Sequence, residues 1–113
     1  MSQIKNENIL TEFPAVDMTS NITGDSINLL SDTRFSIQLV FTGATISGDF
    51  TLEASNDLVI ANWTTIPGTS VTITAAGSHL YTITDATYQY IRVVWTDTAS
   101  AAGTITVARM VIK

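Results

Sequence analysis

Apolar and polar residues alternate strictly over two stretches in the first half of the chain. In RFSIQLVFT, Phe35, Ile37, Leu39 and Phe41 alternate with Ser36, Gln38, Val40 and Thr42; in GDFTLEAS, Phe50, Leu52 and Ala54 alternate with Thr51, Glu53 and Ser55. A period of two predicts strands with one face in a core and the other turned outward. The link TGATISG carries two glycines and predicts a hairpin between them. Further strands are predicted over residues 70–74, 79–84, 88–96 and 104–112, with a shorter one at 26–30, each bounded by turn chemistry such as Pro67-Gly68, Ala76-Gly77, Asp85-Ala86 or TDTASAAG. In the last segment the parity that buries Ile105 and Val107 would also bury Arg109, which predicts a bulge near Ala108 and Arg109 that returns Met110 and Ile112 to the inside. Before residue 25 the apolar positions Ile4, Ile9, Leu10, Phe13, Val16 and Met18 follow no clean period. Residues 1–24 therefore read as an N-terminal arm or edge segment ahead of a β-sandwich domain over 25–113.

Seven to eight short strands with regular turns predict an all-β chain, a single antiparallel β-sandwich or jelly roll. Its core should contain Phe35, Ile37, Leu39, Phe41, Phe50, Leu52, Ile91, Val93 and Trp95, the inward positions of the best-patterned strands. Composition agrees: the 113 residues include 19 Thr, 13 Ile, 8 Val and 10 Ser, a bias toward residues that suit a pleated, half-buried surface. A chain of this length buries about 65% of its unfolded surface. With no cysteine, it is not a disulfide scaffold and has no thiolate metal site.

Charge narrows the partners. The net charge is −5, with eight acids against Lys5 and Arg34 in residues 1–57 and three bases against Asp85 and Asp97 in the remainder. Such a surface repels phosphate backbones, so no nucleic-acid partner is expected. The start MSQIKNENILTEF lacks the apolar core and cleavage site of a signal peptide, and no apolar run approaches the ~18–20 residues of a membrane span. Synthesis in a cytoplasm without a membrane partner is the expectation.

The candidate chemistry lies in a few side chains. Asn56 and Asp57 suit a turn after the strand ending at Ser55, because their side chains bond nearby backbone and tolerate left-handed conformations. Trp63 then begins the return path. It serves either as a lid on the open end of the core or as a stacking platform for a sugar ring. Tyr88, Tyr90, Arg92 and Val94 share one parity, opposite to Ile91, Val93 and Trp95, and form either a solvated outer face or an interface whose aromatic and arginine side chains anchor a partner. His79 is the sole histidine and reads as a surface or edge residue, since no nucleophile and orienting acid accompany it. The acids Asp49, Glu53, Asp57, Asp85 and Asp97 are dispersed over different segments, and the Asn56-Asp57 pair is not embedded in a calcium-loop motif. No enzymatic activity, cofactor or metal is expected. The sequons at Asn21 and Asn62 are chance matches in a threonine-rich chain.

The order SGDFTLEASND, then Trp63, then AAGSHLYTI and finally YQYIRVVWT resembles a pattern of bacteriophage virion proteins, in which a strand ending in ASND precedes a Trp, a GSYxW-like strand and a YIRV strand. It is similar as well to discoidin-like and carbohydrate-binding-module-like sandwiches. The resemblance spans about residues 26–113, and the chain departs from the pattern in carrying Leu-Val-Ile-Ala-Asn before the Trp. It implies a structural protein of the virion, a capsid decoration or cement protein or another head or tail component. Such a protein acts by contact with capsid or tail proteins and as a homo-oligomer, a trimer being the natural form on a symmetric shell. The alternative it leaves is a small carbohydrate-binding module for host or surface attachment, with Asn56, Asp57 and Trp63 in its ligand loop.

Overall fold

The computed structural model of the chain describes residues 6–9, 16–29, 33–57 and 62–112. Within them the strands are β1 (Asn6–Ile9), β2 (Val16–Asp17), β3 (Ile22–Thr23), β4 (Ile27–Asn28), β5 (Phe35–Thr45), β6 (Gly48–Ser55), β7 (Thr64–Thr65), β8 (Val71–Ile73), β9 (Gly77–Ile83), β10 (Tyr90–Asp97) and β11 (Ala102–Ile112). All pairings are antiparallel. One sheet runs β1-β11-β5-β9, with β2 also on β11; the other runs β3-β10-β6-β7, with β4 also on β10 and β8 also on β6.

The short strands work in pairs. β1 and β2 share one side of β11, β3 and β4 one side of β10, and β7 and β8 one side of β6. Counted as strand positions, the sheets become 1-8-3-6 and 2-7-4-5, the order of a jelly roll. Between β7 and β8 the Thr69 hydroxyl continues the edge, accepting from Leu52 N at 3.1 Å and donating to Ile66 O at 2.7 Å. Described parts of the first 24 residues thus hold edge positions in both sheets. Met18 is buried, its N–H donates to Gly103 O at 2.9 Å, and its carbonyl accepts the Trp95 indole N–H at 2.9 Å. Ile4, Leu10 and Phe13 lie outside the described residues.

All nine residues expected in the core are buried, joined by Met18, Leu29, Ile46, Tyr81, Ile105, Ala108 and Met110 among others. An aromatic string crosses the interior: Phe41 of one sheet meets Phe50 of the other at 5.6 Å between ring centroids, and Phe50 meets Trp95 at 4.7 Å.

Two local expectations are corrected. TGATISG does not close a hairpin: β5 pairs with β11 and β9, β6 with β10, β7 and β8, so Ile46 and Ser47 carry the chain from one sheet to the other. Ile46 drops into the core, and Ser47 is tied to the β10–β11 turn by Thr98 and Ser100. The glycines serve close approach instead. Gly43 has φ +146°, and a Cβ there would lie 2.6 Å from Ala102 O; a Cβ on Gly48 would lie 2.6 Å from the Trp95 ring. The bulge of β11 also sits earlier than expected. The register with β5 shifts between Ile105 and Val107, so Val107 turns outward (39% exposed) while Ala108 and Met110 point in and Arg109 out. Extra backbone at Thr106, whose hydroxyl donates to Val40 O at 3.2 Å, resets the parity before Arg109 has to be buried. The Ile112 side chain lies outside the described residues.

Candidate functional site

The outer face of the β10–β6 pair gathers most of the residues singled out above. Antiparallel pairing sets Tyr90 opposite Ser55, Arg92 opposite Glu53 and Val94 opposite Thr51, with Thr65 of β7 beyond Glu53. Directly opposed side chains share a face, so Tyr90, Arg92, Val94 and Glu53 stand on one platform, each half-buried. Arg92 Nε and Nη2 both lie 2.6 Å from Glu53 Oε1. The guanidinium carbon also sits 4.4 Å from the centroid of the Trp63 ring, in cation–π geometry. Trp63 therefore neither closes the core nor stands free: it lies over β10, with Arg92 between the indole and the carboxylate.

The turn after β6 places Trp63 there. Ser55 Oγ accepts Asp57 N at 3.0 Å and donates to Asp57 O, the local side-chain bonding expected of Ser and Asp in a turn. Asn62 donates from Nδ2 to both Asp57 carboxylate oxygens, at 3.1 and 3.0 Å, and so closes the loop one residue before Trp63. Asn56 Oδ1 accepts Gln89 N at 3.0 Å and ties the loop to the approach of β10. The loop residues Leu58, Val59, Ile60 and Ala61 lie outside the described residues.

No protein-family model and no curated protein matches the chain.

Tyr88 leaves the stripe. The chain bends at residues 88 and 89 before β10 begins, and Tyr88 packs at the end of the core beside Ala54, Ile66 and Pro67. Burial, and then Asp85, push its phenol pKa up. His79 lies on β9, the edge of its sheet among the described residues, and meets Tyr81 edge-on at 4.5 Å. Partial burial lowers its pKa. The acids stay apart: Asp49 and Asp97 near the β5–β6 crossing, where Asp97 Oδ1 accepts Ser100 N at 3.0 Å, Glu53 on the platform, and Asp57 and Asp85 toward the other end. Among the described residues no three His, Cys, Asp or Glu side chains gather to hold a metal ion.

Sequence reasoning held the Tyr90–Arg92–Val94 stripe and the Trp63 loop as rival sites. Folding joins them through Arg92 and adds Glu53, which the sequence had shown only as one more residue on a polar face. The missed signal was an acid and a base, each outward on a well-patterned strand: pairing them across the sheet would have fixed the β6–β10 register.

Proposed function

We propose that this chain is a non-enzymatic structural protein of a bacteriophage virion, a capsid decoration or cement protein, which acts through protein–protein contact with its outer β10–β6 face. The observation carrying this reading is the platform itself. An arginine held by an indole and a carboxylate, beside a half-buried tyrosine on a rigid sheet, presents anchor side chains whose ordering cost is met before a partner arrives. The resemblance to virion proteins over about residues 26–113 supplies the setting. Head or tail proteins are the partners, and self-association belongs to the same reading because it multiplies weak contacts.

A carbohydrate-binding module is the second reading, favoured by one feature: Trp63 is partly exposed on a loop, beside Asn62 and Asp57. The test compares binding of the purified chain to particles lacking it and to a glycan array. Tyr90→Ala should weaken particle binding by about 1–2 kcal/mol and leave the fold intact. Absence of the chain from purified virions, together with glycan binding that a folded Trp63→Ala variant loses, would replace the first reading by the second.

A further inference from the structure

The edges of the two sheets are unequal. Apart from β9, the described edge strands are short: four residues in β1, two in β2, β3, β4 and β7, and three in β8. Short edge strands are one way folds block edge-to-edge pairing, as are charges, prolines and bulges. β9 has none of these. It runs seven residues, Gly77–Ile83, in unbroken register with β5, pairs with no other described strand, and reads GSHLYTI without a formal charge or a proline. Leu80, at its centre, is 56% exposed, the most exposed large hydrophobic side chain among the described residues. Beside the strand lies an open groove of about 340 Å³, rimmed by Gly68–Val71 on one side and His79–Ile83 on the other and crossed by the Tyr81 hydroxyl, which donates to Thr69 O at 2.8 Å.

We propose that β9 is a docking edge for a second copy of this chain, the two β9 strands pairing antiparallel about a two-fold axis at Leu80, so that the sheet continues from one copy into the other. Self-complementarity selects this occupant. Antiparallel pairing about Leu80 sets Leu80 against Leu80, His79 against Tyr81, Ser78 against Thr82 and Gly77 against Ile83, so on the outer face apolar meets apolar and hydroxyl meets hydroxyl, while on the other face each His79 lies across from a Tyr81 buried in its own core. Ser78, Leu80 and Thr82 share the outer face, while His79 and Tyr81 lie on the groove side, where they meet edge-on within one chain. Charge argues the same way. The chain carries −5, so copies repel in general, but no carboxylate is brought together at β9. A two-fold contact is isologous and closes on itself, leaving the β10–β6 face free. The inference does not depend on the virion reading.

Sedimentation equilibrium of the full chain tests it. The wild type should form dimers as its concentration rises, and amide exchange over residues 78–82 should slow with it. Leu80→Lys should be monomeric, with the melting temperature that the wild type shows at concentrations too low for it to dimerise, because that side chain is already exposed in the monomer. Ser78→Lys/Thr82→Lys and Ser78→Glu/Thr82→Glu should each be monomeric alone, whereas an equimolar mixture should form a heterodimer, since every pairing at these positions becomes Lys against Glu. A wild type that stays monomeric to about 1 mM, where only interactions weaker than about −4 kcal/mol would remain undetected, overturns the proposal. So does a trimer, a dimer that survives both charge variants, or a mixture that stays monomeric.

Discussion

Arg92 is held from two sides, and the energetics of that arrangement can be measured. Side-chain exposures of 17% for Arg92 and 21% for Glu53 put the pair between a surface ion pair, worth little, and a buried one, where losing one partner is costly. A double-mutant cycle with Arg92→Ala and Glu53→Ala should give a coupling of about 1–2 kcal/mol in chemical unfolding. Additive losses would mean that the two groups contribute separately. His79 gives a pH prediction with a definite sign. Burial lowers its folded pKa from 6.5, so protonation favours the unfolded chain. Stability from this group is complete above about 6.5 and is lost as pH falls from there toward the folded value. His79→Gln should flatten that part of the stability profile. Tyr81 acts at the other extreme: desolvation raises its pKa, so its contribution is intact below about 10 and is lost at higher pH.

At the scale of elements, two register shifts of the β5–β11 pair, one between Ala102 and Thr104 and one between Ile105 and Val107, decide which side chains reach the core. Gly43→Ala should destabilise the protein by about 1–3 kcal/mol, because its φ of +146° disfavours a side chain and the new Cβ would meet the backbone of Ala102 and Gly103. Gly77→Ala is the control, with nothing within 4 Å of its added Cβ. An equal melting temperature for the two variants would refute the strain at Gly43. These elements also show what could be read in the sequence. Strict alternation in β5, β6 and β10 placed all nine core residues correctly, because a strand buried on one face writes its period into the chain. β2, β3 and β4, each of two residues, are too short to carry a period. The β5–β6 crossing looks like a hairpin locally, since glycines mark close approach as well as tight turns; which sheet a strand joins depends on distant partners. The bulge at Thr106 was foreseen in kind from Arg109 but displaced, because parity shows that a shift must occur somewhere and leaves its position open. The Arg92–Trp63 stack needed both the β6–β10 register and the turn closed by Asn62 and Asp57, and neither is local.

For the whole molecule, the N-terminal segment is the strongest test of how the jelly roll holds together. A core of this size gives only a narrow stability margin, and Met18 carries part of it. It is fully buried, it supplies the carbonyl acceptor for the only buried indole among the described residues, and β2 and β3 on either side of it lie on β11 and β10. Removing residues 1–24 would expose Trp95, strip its N–H of a partner, free one side of β11, and leave β4 alone on that side of β10. Loss of the Met18 side chain alone should cost about 2–5 kcal/mol as Met18→Ala, and the truncation more. In a Trp63→Phe background, fluorescence reports Trp95 alone. The 113-residue chain should emit as a buried indole and unfold in one cooperative transition, while the chain from residue 25 onward should emit at longer wavelength and lack that transition. If the truncated chain kept both the buried emission and the melting temperature, the segment would be an appendage and residues 25–113 would suffice for the fold. The same measurement on Met18→Ala separates the single side chain from the segment: an intermediate melting temperature with unshifted emission is expected, since the backbone carbonyl that accepts the indole N–H remains in place.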